Sequence, residues 1–354
     1  MTVASSSKDH GTFWHLYSLL GRSTSAKDPK KDMNACTDIL ITVLKGHYVA
    51  AACRLLEIDD PEEGKPESLP DFHKMSARER YSYIMELSSK VLDKCGLVDA
   101  AILGEKVEET GDGVVDYARV FCHHASLALE YMDAVDFADG HRICRCWRIL
   151  LLHFHSNGHT KYAWEALRLQ FQLVTLPHPV AYHLKWGRFI NIHGGQGRNI
   201  SCDLHNEHLN KLFKDIVQNL GANLTEATVT RAARSVSTLY DIAYSFDKET
   251  QVPVTHSAHS TIDDARDVKQ VVSVVTKAEV FDIKKGRRHS KFKQISPNPL
   301  PKLNMEETVS WIQKKQQQMM KYKYAIGEGD LSDPETSDIE TDSTSDIETE
   351  IISF

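Results

Sequence analysis

Between positions 34 and 246 apolar residues recur at steps of three and four, and no sustained two-residue alternation occurs anywhere in the chain. A helix returns its side chains to one face every three to four residues and a strand every two, so this spacing commits the chain to a mainly α, multi-helix fold. The first stripe comprises Ile39, Leu40, Val43, Leu44, His47, Ala51 and Leu55, and the Asp59-Asp60-Pro61 run ends it. Ser76 and Glu79 have capping-box spacing, which predicts a helix start there and an end near Cys95, where Gly96 follows. Further helices are predicted over 114–134, 143–155, 162–174, 203–219, 225–246 and 305–324, with a shorter one over 264–280. The tight Asn157-Gly158 connection favours an antiparallel helical pair. Pro177-His178-Pro179 closes that unit, and the stretch after it reads as irregular up to Gly194-Gly195-Gln196-Gly197-Arg198.

The 354 residues, 41% hydrophobic and 26% charged, can bury a sizeable core, which excludes wholesale disorder. No run approaches the roughly 20 uncharged apolar residues that a bilayer requires, so no membrane partner is expected. Seven cysteines without framework spacing fit a reducing compartment. The chain divides into a lead with a short helix (1–33), a helical domain (34–246), a linker carrying a basic segment (247–304), a basic amphipathic helix (305–326) and a disordered acidic tail (327–354).

The net charge of −7 conceals an uneven distribution, because residues 327–354 hold ten carboxylates and no Lys or Arg while residues 284–323 hold eleven Lys/Arg and two Glu. Within the latter, Lys284, Lys285, Arg287, Arg288, Lys291 and Lys293 crowd into ten residues. Such a run serves nuclear import or phosphate binding if it is exposed, and is a solvated linker otherwise. DNA and a nuclear-import receptor are therefore the expected partners, with a nuclear location favoured over a cytoplasmic one. Ser337 and Ser345, each followed three residues later by Glu, have the pattern of acid-directed phosphorylation, which would strengthen competition between the tail and DNA.

The segment Asp203-Leu204-His205-Asn206-Glu207-His208-Leu209-Asn210 resembles the D-L-x-x-E-H-L-N signature of a eukaryotic family, domain of unknown function 6589. Gly11-Thr12-Phe13-Trp14-His15-Leu16 and the run from Asp28 to Cys36, continuing into Ala50-Ala51-Ala52, are similar to earlier pieces of the same family. The resemblance spans roughly residues 10–245. It implies descent from mobile elements and a likeness to RNase-H-like DDE transposases, of which this chain would hold the helical insertion and the last helix. By that analogy Glu207, or Asp203 one turn away, matches the late acidic position. The chain begins where the family's second acidic segment has ended, so the resemblance implies a truncated or domesticated relative without a complete catalytic centre.

Paired-cation chemistry needs carboxylates from separate elements. Asp203 and Glu207 share one helix face, so Mg²⁺ or Mn²⁺ enters only if other acids complete the site; Asp9 and His10 are the nearest upstream candidates. Cys202, His205 and His208 have spacings that zinc sites use, with Cys144 and Cys146 needed to fill the set, against a default of local hydrogen bonding. Cys122-His123-His124 places a thiol beside imidazoles, but neighbours in a helix do not face each other. The glycine run lacks the Lys-Ser/Thr of a phosphate loop and has no strand before it, leaving a flexible turn or a minor backbone contact. The first functional expectation is a helical domain with weak nucleic-acid binding and no intact catalysis. The alternative is a protein-interaction scaffold, and the third an active metal-dependent transposase or nuclease; oligomeric state stays open.

Overall fold

A computed structural model describes residue 9 and residues 11–21, 32–58, 69–96, 110–192, 194–219, 224–250, 264–290, 295–296, 298 and 300–325. The described residues form eleven helices and one two-stranded ribbon, a mainly α fold. The helices are α1 (Phe13–Leu19), α2 (Met33–Leu56), α3 (Ala77–Lys94), α4 (Gly113–Asp136), α5 (Gly140–Ser156), α6 (Thr160–Thr175), α7 (His178–Trp186), α8 (Cys202–Gln218), α9 (Glu226–Glu249), α10 (Asp264–Lys277) and α11 (Met305–Ala325). Ser337, Ser345, Lys291, Lys293, His10 and the acidic tail lie outside the described residues.

Local chemistry sets the helix ends. Ser76 Oγ accepts from the Glu79 N–H at 3.3 Å while Glu79 Oε2 accepts from the Ser76 N–H at 2.7 Å, so the capping box forms as the spacing predicts. Asp112, Asp139, Ser201 and Thr225 cap α4, α5, α8 and α9 through their side-chain oxygens.

The core centres on α2, which α1, α3, α4 and α10 surround. Helix α2 is long and apolar enough to cross a membrane by length and composition, although Asp38, Lys45 and Arg54 interrupt it and no uncharged run reaches that length; its stripe is buried by neighbouring helices. Helix α10 runs alongside it in the same direction: Thr42 Oγ1 donates to Asp264 Oδ1 at 3.1 Å near one end, and Arg54 pairs with Asp282 at 2.5 Å beyond the other. Gly46 permits this approach, since a Cβ there would stand 2.3 Å from Val271 Cγ1. Val271, Val272 and Val275 are buried, so α10 packs into the helical body.

Helices α5 and α6 form the antiparallel pair, with Cys144 O accepting from Gln170 Nε2 at 3.2 Å and Phe154 ringed by His159 and Tyr162. Helix α11 lies across them, Trp311 stacking on His155 at 4.6 Å and Lys315 Nζ sitting 4.8 Å over Trp164.

Two local expectations are corrected. Pro177-His178-Pro179 follows the end of α6 as expected, but it opens helix α7 where an irregular stretch is expected, because proline in a first turn loses no hydrogen bond and its fixed φ suits the helix. A strand does precede the glycine run: β1 (Phe189–Ile190) pairs antiparallel with β2 (Ile200–Ser201), closing residues 191–199 into a loop. Gly194, Gly195 and Gly197 adopt φ of 70°, 95° and 69°, which the turn requires and which side-chain-bearing residues rarely adopt.

Candidate functional site

The ribbon delivers the chain into α8, whose first turn carries the signature residues. Ser201 Oγ accepts from the Leu204 N–H at 3.3 Å, and the Cys202 N–H donates to Arg188 O at 2.8 Å, fixing the start of α8 against the end of α7. Beneath lies a cleft of about 410 Å³ with Tyr131, Ile143, Trp147 and Phe189 among its walls and Glu165, Arg188 and Asp203 among its charged lining groups. The Cys202 thiol donates to Gly187 O at 3.5 Å. Burial and the adjacent Asp203 carboxylate push that thiol up, so it stays protonated and is a poor nucleophile.

Asp203 is exposed and Glu207 half-buried one turn further along. Asp9 sits elsewhere: its carboxylate accepts from the Ser290 N–H at 3.1 Å and the Ser290 hydroxyl at 2.6 Å, and its carbonyl accepts from the Thr12 hydroxyl. Among the described residues no three His, Cys, Asp or Glu side chains are arranged to hold a metal ion, so Cys202, His205 and His208 are not brought together with further ligands. His205 instead packs its ring against Tyr240 of α9.

A second cluster lies in the core between α4 and α5. The rings of His123, His124 and His153 stand 5.1 to 5.7 Å apart. Burial lowers His123 to about 4 and His153 to about 3, and pushes His124 well below its ordinary value with help from the other two. His47 of α2, between Phe121 and Phe281, is lowered to about 4 by burial, its Nδ1 donating to Val43 O at 2.8 Å. These rings are neutral core groups. Cys122 beside them is pushed up by burial and Cys95, which removes the thiolate that catalysis would need.

The described part of the basic segment is tied into the fold. Arg287 donates from Nε to both Asp112 oxygens at 3.1 and 3.0 Å and from Nη2 to Oδ2 at 2.7 Å. Its remaining N–H groups reach the carbonyls of Ala278, Glu279 and Asp282 at 2.9, 3.1 and 2.9 Å. Asp112 Oδ2 also accepts from the Lys284 N–H at 2.8 Å, while Oδ1 caps α4 by accepting from Val114 N–H. The Asp112 side chain is 0% exposed and that of Arg287 22%. Burial pushes the Asp112 carboxyl up, but the hydrogen bonds from Arg287, Lys284 and Val114 prevail and hold it below its ordinary value. Backbone bonds from Gly113 to Arg287 and from Gly286 to Gly111 stitch the two segments together, and buried His289 meets Tyr117 edge-on. The Lys284 ammonium pairs with Glu279. Of the six cations in the segment, then, two have internal acidic partners, Lys285 and Arg288 are exposed, and Lys291 and Lys293 are undescribed. An open linker is not what residues 284–290 form.

A feature that sequence reading overlooks lies on α9. Leu239, Ile242 and Phe246 are 44%, 59% and 62% exposed and share one face of the helix. On α3, Tyr81, Ile84 and Met85 are likewise exposed.

Fold and site together define a helical-bundle protein whose acidic helix carries too few converging ligands for a metal centre among its described residues. The model of the family of unknown function DUF6589 matches residues 2–259, most of the chain, and the protein belongs to that family. No curated protein and no solved structure matches.

Proposed function

We propose that this protein is a helical interaction scaffold that offers apolar helix faces to other proteins. The observation that carries this reading is the exposed Leu239-Ile242-Phe246 face of α9, an apolar seam on a helix that packs chiefly against α8. Descent from a mobile element, as the family resemblance implies, accounts for an acidic helix retained without a completed cation site among the described residues. The basic segment favours this reading over nucleic-acid binding, because Arg287 and Lys284 serve the fold. Weak, salt-dependent contact with nucleic acid through Lys285 and Arg288, both exposed, is the second reading.

The test is comparative capture. Proteins retained from nuclear extract by the wild-type chain and by the Leu239→Glu/Ile242→Glu variant are quantified by mass spectrometry. A defined set is expected to fall at least tenfold with the variant, since a charge in a desolvated seam costs more than about 1.4 kcal/mol. Identical sets from both chains would contradict the scaffold reading.

A further inference from the structure

Helix α9 carries a second periodicity beside the one that faces α8. Val229, Val236 and Tyr240 turn toward α8, with Val236 buried and Tyr240 meeting the His205 ring. Thr228, Ala232 and Ser235, half-buried, and Leu239, Ile242 and Phe246, exposed, follow alternating steps of four and three on a neighbouring face. That is the a/d spacing by which two helices pack knobs into holes.

The seam is asymmetric in size. Its first half is small (Thr228, Ala232, Ser235) and its second half large (Leu239, Ile242, Phe246). A parallel pair would stack Phe246 on Phe246 and leave the serines facing a gap. An antiparallel pair centred between Tyr240 and Asp241 sets Leu239 of each copy against Ile242 of the other, and Phe246 against Ser235. Ser235 can accept an aromatic neighbour, because its hydroxyl already donates within its own helix, with Ala232 O at 2.9 Å.

Charge agrees with the same direction. Arg231 and Glu249 are both exposed and stand about five full turns apart, hence on the same flank of the seam. An antiparallel two-fold pair brings identical flanks together, so Arg231 of one copy meets Glu249 of the other at both ends. A parallel pair would oppose Arg231 to Arg231.

We infer that α9 pairs with α9 of a second copy of this chain in an antiparallel, two-fold coiled-coil contact. The size match and the charge match both select the antiparallel direction, with registers that agree to within one residue. This rests on reading α9 as a contact surface and names its occupant. The overlap, residues 231–250, is about 30 Å long, which places the contact toward the small end of stable interfaces and makes the dimer concentration-dependent.

Sedimentation velocity of the full chain over a range of concentrations tests it. Wild type is expected to pass from monomer to dimer with a dissociation constant of about a micromolar, and Ile242→Glu to raise that constant at least a hundredfold. Arg231→Glu and Glu249→Arg are each expected to weaken the dimer several-fold and the double variant to restore it; both positions are exposed, so folding is not at stake. Restoration by the double variant is the result that only this register gives. A wild type that stays monomeric, a dimer indifferent to Ile242→Glu, or a double variant no better than the singles overturns self-pairing. If the monomeric chain still loses captured proteins on Leu239→Glu/Ile242→Glu, the contact reading survives and only its occupant is wrong; without that loss both fall.

Discussion

Replacing Arg287 with methionine is expected to lower the unfolding free energy by about 3 kcal/mol or more, measured by urea denaturation at neutral pH. The magnitude follows from what is left behind. Asp112 caps α4 from a position with no solvent exposure, and without the guanidinium its charge has only backbone N–H partners. The carbonyls of Ala278, Glu279 and Asp282 would lose their donors at the same time. Adding Asp112→Asn to Arg287→Met should recover part of the loss, because a neutral cap removes the uncompensated charge. Lys284→Ala, which removes an exposed pair with Glu279, should cost less than about 1 kcal/mol. Equal losses from Lys284→Ala and Arg287→Met would contradict the clamp. The clamp also has an acid limb. A carboxyl held below its ordinary value stabilises the fold fully above the unfolded-state pKa, and that contribution fades as pH falls through the folded one.

A larger pH effect is expected nearer neutrality. His47, His123, His124 and His153 all have folded-state pKa values lowered by burial. The unfolded chain binds their protons below about 6.5 and the folded chain does not until far lower, so stability is complete above that pH and falls as pH drops toward 4. Each histidine held near 4 contributes on the order of 3 kcal/mol to the loss, and coupling among the three clustered rings makes the total less than additive. Urea midpoints at pH 7.5, 6.5, 5.5 and 4.5 should therefore fall only slightly across the first two and drop steeply across the rest. His47→Leu keeps an apolar filler between Phe121 and Phe281 and should flatten that slope. A midpoint unchanged between pH 6.5 and 4.5 would show these rings to be hydrated.

Much of the helical layout is legible in the sequence because its determinants are local. The Ser76-Glu79 box, the Thr225 cap and the 3.6-residue stripe of α2 each act within one or two turns. Helix α7 is not legible in the same way, since a Pro-His-Pro run both stops one helix and starts another, and only the preceding cap geometry decides. The two-residue strands are too short to show alternation and depend on the pairing of Phe189 with Ser201. The basic segment misleads for a different reason. Its charge is visible, but its principal partner, Asp112, lies 175 residues away and reads only as a turn residue beside Gly111 and Gly113. The α9 seam is visible as spacing, yet spacing alone cannot tell a covered face from an open one. The signature helix is recognised correctly, and belonging to the family follows, but a family signature does not say which other carboxylates share its space.

The most direct test of the claim that this chain works through protein contacts and not through phosphate contacts is fluorescence anisotropy of labelled duplex DNA titrated with the full chain at several salt concentrations. The expected result is affinity no tighter than about 10⁻⁴ M at physiological salt, little changed by Lys285→Ala/Arg288→Ala. Micromolar or tighter binding that falls at least a thousandfold between 50 and 200 mM salt, the slope of about six engaged cations, would contradict it.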